Sequence, residues 1–120
     1  MDTILIVDDI PFEIKLLFIF LSHTCFEVLV AHDGIEGIKT AESAQPDLIM
    51  LDVIMREMDG FEVCQKIKNN EKTKDIPIIF MTARTELVDK ITGFELGAAD
   101  YITKPFEHEE VLARVNTHLK

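Results

Sequence analysis

Tryptophan is absent from this 120-residue chain, and tyrosine occurs once, at Tyr101. Cysteine is limited to Cys25 and Cys64, which lack the spacing of a CxxC pair and have no histidine cluster beside them. Both therefore read as ordinary core thiols of a reducing compartment. No apolar run reaches the ~18 residues of a membrane span. Met1-Asp2-Thr3 also lacks the basic start of a signal peptide, so a cytoplasmic protein with no membrane contact is expected. Basic residues are few as well. Twelve Lys and Arg stand against 22 Asp and Glu, a net charge of -10, which argues against a nucleic-acid-binding face. The same balance suits an acidic metal site or a basic partner.

What is present is a large apolar fraction, 48%, ample for one buried core, and the whole of 1–120 reads as one domain. Strand-like runs fall at Ile4–Val7, Val28–Ala31, Leu48–Leu51, Ile76–Met81 and Asp100–Thr103, with no repeats or linkers between them. Helical stretches lie near 11–22, 34–43, 60–69, 86–96 and 107–119. Asp33-Gly34-Ile35-Glu36 and Asp59-Gly60-Phe61-Glu62 fit the capping box, and Gly97 suits the left-handed stop of a helix. Alternating β and α elements with short connections imply a parallel sheet covered on both faces. Five such units match an α/β flavodoxin-like (βα)5 three-layer sandwich with strand order 2-1-3-4-5.

In such sheets ligands bind at the carboxyl ends of the strands. The first strand ends there in Asp8-Asp9 and the third in Asp52; the fourth ends in Thr82, and Lys104-Pro105 follows the fifth. Strands one and three are neighbours in this order, so Asp52 faces the acidic pair. Adjacent carboxylates are costly to keep ionised without a cation between them. Three of them make a hard oxygen site suited to Mg²⁺. Lys104 and Thr82 add a charge and a hydroxyl complementary to a phosphoryl group on Asp52.

The segments Ile6-Val7-Asp8-Asp9, Asp47-Leu48-Ile49-Met50-Leu51-Asp52, Met55 with Met58-Asp59-Gly60, Ile78-Ile79-Phe80-Met81-Thr82-Ala83, and Gly97-Ala98-Ala99-Asp100-Tyr101 through Lys104-Pro105-Phe106 occur in this order over the chain. In these the sequence resembles the receiver domains of two-component response regulators. The resemblance implies a phosphorylation-dependent signalling switch rather than an enzyme acting on other substrates. It makes Asp52 the acceptor of a phosphoryl group from a histidine kinase or histidine phosphotransfer protein. By the same resemblance Asp9 binds Mg²⁺ directly, Asp8 mostly through water, and the backbone carbonyl of Ile54 is a further ligand. Lys104 pairs with the phosphoryl oxygens, Thr82 moves onto them, and Tyr101 changes rotamer in response. Lys104-Pro105 is then a cis peptide. An output domain or effector protein is the implied further partner, and a homodimer on phosphorylation is left open.

Three rivals fare worse. A phosphatase of the haloacid dehalogenase type wants a second Asp two residues after the nucleophile, where this chain has Ile54. A flavodoxin-like FMN binder needs a hydroxyl- or Gly-rich loop where Asp8-Asp9-Ile10-Pro11 stands. A degenerate receiver serving only as an interaction module would not keep all five key positions. Two departures from the family are visible. One is Arg56, in place of the proline common after Met55, and the other is the first helix; Ile54 and Arg84 fill positions that vary in the family and line the approach of water. The first helix is unusually apolar, Phe12-Glu13-Ile14-Lys15-Leu16-Leu17-Phe18-Ile19-Phe20-Leu21. Glu13, Leu16, Leu17, Phe20 and Leu21 share one face, while Ile14 and Phe18 form an i,i+4 pair off it. That pair is a candidate docking patch for the kinase or phosphotransfer partner.

Overall fold

Strand and helix alternate along the whole of the described chain, which in this computed structural model comprises residues 1–22, 25–83 and 87–119, without the side chains of 87–90. The elements are β1 (Thr3–Val7), α1 (Pro11–Ser22), β2 (Glu27–Ala31), α2 (Gly34–Ala44), β3 (Leu48–Asp52), α3 (Gly60–Lys68), β4 (Ile78–Ala83), α4 (Leu87–Glu95), β5 (Asp100–Lys104) and α5 (His108–His118). All strand pairs are parallel, and the sheet order is β2-β1-β3-β4-β5, as expected for the flavodoxin-like topology.

Side chains alternate across each strand, and this period of two sorts the core into two layers. Leu5, Val7, Ile49, Leu51, Ile78, Phe80 and Tyr101 face one side, where Ala41 of α2 and Val63, Cys64 and Ile67 of α3 cover them. Ile4, Ile6, Leu48, Met50, Ile79, Met81 and Ile102 face the other, against Leu17 and Leu21 of α1 and Val111 and Val115 of α5. Burying a Leu side chain is worth roughly 2 kcal/mol. Leu17 and Leu21 therefore hold α1 down, and its exposed Phe12, Phe18 and Ile19 do not. Among the described residues no helix is long and apolar enough to cross a membrane.

Local signals work as the residues dictate. Asp33 and Asp59 accept from the backbone N–H groups of Glu36 (2.8 Å) and Glu62 (3.0 Å) at the starts of α2 and α3. Glu36 returns its bond to His32 N–H (2.9 Å), one residue before the cap. α4 closes with Ala98 N–H on Gly93 O (3.0 Å) and Gly97 N–H on Phe94 O (3.1 Å), the paired bonds of a Schellman end, with Gly97 at φ 101°.

Two expectations need correction, and one pair of residues divides between core and surface. The run Ile76–Met81 becomes strand only at Ile78: Ile76 N–H closes a turn on Thr73 O (3.1 Å) and Pro77 has no N–H to give the ladder. Cys64 is buried but Cys25 is exposed, in the connection entering β2, so only one thiol is a core thiol. The pair Ile14 and Phe18 differs in burial: Ile14 is half-buried against the α1/α5 core layer, while Phe18 is 46% exposed.

Candidate functional site

The register explains which side chains meet. Val7 of β1 pairs with Leu51 of β3, so Asp8 and Asp52 leave adjacent strands at the same level. Asp8 has the parity of Ile4 and Ile6, Asp52 that of Leu48 and Met50, and Lys104 that of Ile102. All three therefore lean toward α1 and α5. Asp8 and Asp52 are 0% and 1% exposed. Lys104 Nζ donates to Asp52 Oδ1 at 2.9 Å and lies 2.7 Å from Glu13 Oε1, in the first turn of α1. Lys104-Pro105 is cis, as the family resemblance implied.

Glu13 is the site residue that the strand ends alone do not reveal. It joins Asp8 and Asp52 in a group whose carboxylate oxygens lie within 4.8 Å of one another. The available signal was an acid placed on the apolar face of α1 beside Leu17 and Leu21. Asp9, by contrast, is turned away. Its Oδ2 accepts from Arg56 N–H at 3.0 Å and sits 3.5 Å from Arg56 Nε. With Ile54, Arg56 and Pro11, Asp9 lines an open cleft of about 400 Å³ at the mouth of the site.

The charges are crowded. Among the described residues Asp8 Oδ2, Glu13 Oε1 and Asp52 Oδ2 are buried with no hydrogen-bond partner, and Glu13 meets Lys104 as an ion pair. Burial, then the Glu13 carboxyl beside it and the charge of Asp52, push Asp8 up to about 8. Burial also raises Asp52, against the opposing hydrogen bond and charge of Lys104. Burial alone would lower Lys104, but Glu13 and Asp52 outweigh it and hold the ammonium above its ordinary range. Buried carboxyl oxygens that converge in this way are a donor set for a hard cation, which would displace the proton that burial keeps on Asp8, so the residues present fit a divalent metal.

Thr82 and Tyr101 lie on the opposite parity, toward α4. Thr82 is buried near the end of β4, and among the described residues its hydroxyl reaches only Ala83 O at 3.5 Å, the outer edge of a hydrogen bond. Tyr101 is 6% exposed, with its ring near Phe80 (5.7 Å between centroids) and Phe94 (4.9 Å). A Cβ on Gly93 would fall 1.7 Å from Tyr101 Oη, so the absence of a side chain there makes the inward pose of Tyr101 attainable. Ile54 is 65% exposed at the rim of the site, and Arg84 lies outside the described residues. The loop after β3 returns tightly: Gly60 N–H donates to Val53 O at 2.8 Å, and a Cβ there would stand 2.2 Å from Asp52 O. The backbone carrying Asp52 is thus clamped by the start of α3.

Known proteins share this arrangement of elements. The sequence is 48% identical over 120 residues to the DNA-binding dual master transcriptional regulator RpaA of Synechocystis sp., covering 100% of this chain and 50% of that protein. It is 44% identical over 117 residues to the alkaline phosphatase synthesis transcriptional regulatory protein PhoP of Bacillus subtilis, covering 98% of this chain and 48% of that one. The chain therefore spans about half the length of these relatives. The chemotaxis protein CheY4 of Vibrio cholerae superposes with a TM-score of 0.92 at 32% identity, over 98% of each chain. The receiver domain of sensor histidine kinase PA1611 from Pseudomonas aeruginosa, solved with a magnesium ion coordinated in its active site cleft, gives 0.91 at 27% identity over 98% of this chain and 97% of that one. The family model described as response regulator receiver domain matches residues 4–116. With strand order, acidic strand ends and lysine all in the places that family requires, the chain belongs to the response regulator receiver domains.

Proposed function

We propose that residues 1–120 form a single receiver domain in which Asp52 accepts a phosphoryl group from the phosphohistidine of a histidine kinase or phosphotransfer protein. The observation that carries this is a buried carboxylate, Asp52, with one oxygen held by Lys104 and the other unpartnered beside Asp8. In the transfer a carboxylate oxygen of Asp52 forms the P–O bond as the P–N bond to the donor imidazole breaks. The imidazole leaves with the bonding pair and takes a proton from water. Such transfers have loose transition states, so positioning and charge neutralisation do most of the work. Mg²⁺, when bound, supplies positive charge between the carboxylates and the phosphoryl oxygens. Asp8, Asp52 and the carbonyl of Ile54 would hold it, with Asp9 joining once its carboxylate leaves Arg56. Magnesium in the cleft of the PA1611 receiver domain supports that choice of ion.

Lys104 then shifts toward the phosphoryl group, Thr82 closes on it, and Tyr101 follows, a local charge change biasing a two-state element. The chain catalyses only its own phosphorylation and dephosphorylation. Its similarity to RpaA and PhoP supports a role as the receiver part of a longer regulator with an output domain or effector. Dimerisation on phosphorylation is compatible with that role, and the net charge of -10 speaks against direct nucleic-acid contact by this domain.

With no Trp and a single Tyr, intrinsic fluorescence reports on Tyr101 alone. Beryllofluoride with Mg²⁺ is expected to change that fluorescence in the wild type and to leave Asp52→Ala unchanged. A beryllofluoride response that survives Asp52→Ala would overturn the assignment.

Phe18, exposed on α1 as Ile19 and Phe12 also are, is the proposed contact for the phosphodonor, with half-buried Ile14 one turn before it. Phe18→Glu is expected to slow phosphotransfer about tenfold while moving stability by less than about 0.5 kcal/mol, the usual range for surface changes. Unchanged transfer would remove Phe18 from the docking contact, and a large loss of stability would make it a packing residue.

A further inference from the structure

We propose that Glu13 is a positioning residue that divides Lys104 with Asp52 and so trades phosphoryl affinity for metal affinity. The inference rests on the reading of Asp52 as phosphoacceptor and adds a role for a residue outside the strand ends.

One ammonium serves two acids. Lys104 Nζ stands 2.7 Å from Glu13 Oε1 and 2.9 Å from Asp52 Oδ1. Neither contact is a solvated surface pair: the side chains of Glu13 and Lys104 are 19% and 21% exposed, and that of Asp52 is 2% exposed. The acids beside them also point into the site with nothing to bind, since Asp8 Oδ2 and Asp52 Oδ2 are buried and unpartnered. For a divalent cation seated among these oxygens, the Glu13 carboxylate is a further negative charge within a few ångströms, and it favours binding. For a phosphoryl group on Asp52 the same carboxylate acts in the opposite sense. It repels the phosphoryl oxygens, and it holds back the lysine that must neutralise them.

Glu13 therefore sets the resting balance of the site toward a metal-ready, phosphoryl-poor state. Its place in the first turn of α1 suits this, because Leu17, one turn on, is fully buried and fixes the helix against the sheet. The fixed helix keeps the Glu13 backbone beside the site, so the carboxylate stays within reach of Lys104. A residue that only packed the start of α1 would alter stability and leave the two affinities moving together.

The test uses Glu13→Gln, which keeps the size and removes the charge. Mg²⁺ binding is measured by calorimetry, and beryllofluoride binding at saturating Mg²⁺ by Tyr101 fluorescence. Mg²⁺ is expected to bind about 3- to 10-fold more weakly, and beryllofluoride about 3- to 10-fold more tightly, than in the wild type. Both affinities moving in the same direction, or either staying within about twofold, overturns the proposal. Should Glu13→Gln fold poorly, the carboxyl carbon resonance of Glu13 in the wild type decides. It must shift on adding Mg²⁺ and again on adding beryllofluoride, and a resonance indifferent to the second step overturns the proposal. Failure of the underlying reading is seen separately, as a wild type that does not bind beryllofluoride at all.

Discussion

Replacing Lys104 with Met is expected to destabilise the metal-free protein by about 3–5 kcal/mol near neutral pH, the cost of breaking a buried ion pair by removing one partner. The size follows from what is left behind. Lys104 is the cation that touches both Asp52 and Glu13, at 2.9 and 2.7 Å. Asp8 and Asp52 are almost wholly buried, so water cannot take over the screening. Met fills the space of the lysine stem but leaves the acids facing one another. Two conditions should shrink the loss. Acid neutralises the carboxylates, and Mg²⁺ supplies the missing positive charge. Denaturant unfolding of wild type and variant, with and without Mg²⁺, measures it. A loss below about 1 kcal/mol would place Lys104 among weak, solvent-screened ion pairs and remove it as the organiser of the site.

The sequence made the sheet legible because fully buried parallel strands leave unbroken aliphatic runs, as at Ile4–Val7 and Leu48–Leu51. It made Asp8, Asp52 and Lys104 legible because strand order and strand ends together decide which of them are neighbours. The remainder depended on directions that a one-dimensional pattern does not carry. Asp8 and Asp9 are adjacent in the chain, yet alternation sends one toward α1 and leaves the other to the Arg56 loop. Glu13 was visible as an acid on an apolar face, but only the packing of α1 over the strand ends shows what it faces. Ile14 and Phe18 look alike on a helical wheel, and they differ because the core layer covers one side of that helix and not the other. Ile76 fits a strand by composition alone, and the missing N–H of Pro77 moves the boundary.

In the absence of metal, stability is expected to fall as pH rises from about 5 to about 8, opposite to the usual behaviour of structural carboxylates. An unfolded Asp releases its proton near 3.9, as in model peptides. Folded Asp8 keeps its proton up to about 8, because burial, the Glu13 carboxyl and the Asp52 charge all penalise the anion. Between those two values the folded state binds more protons than the unfolded one, so unfolding free energy decreases with pH. The stabilisation is complete below the lower value and is lost on passing through the upper one. Asp100 runs the other way. Burial would raise it, but Tyr101 N–H, His118 and Arg114 together hold its carboxyl below the ordinary range. Its contribution is present above about 4 and is lost only in stronger acid, outside the window that concerns Asp8.

The neighbours of Asp8 share its proton, so the expected loss across that window is on the order of 3 kcal/mol, or about 10 °C in Tm for a domain of this size. Mg²⁺ should cancel it. A cation that binds the deprotonated cluster displaces the proton, so its affinity and its stabilising effect both rise with pH. Asp8→Asn separates this from every other titrating group. The variant should be more stable than wild type at about pH 8 without metal, should lose most of the slope between about 5 and 8, and should gain little from Mg²⁺. Thermal melts at the two ends of that range, in chelator and in excess Mg²⁺, decide the matter. A wild-type slope that persists unchanged in Asp8→Asn would assign the proton to another group of the cluster, and a wild type with no slope would mean that the buried carboxylates are ionised throughout, with Lys104 sufficient to keep them so.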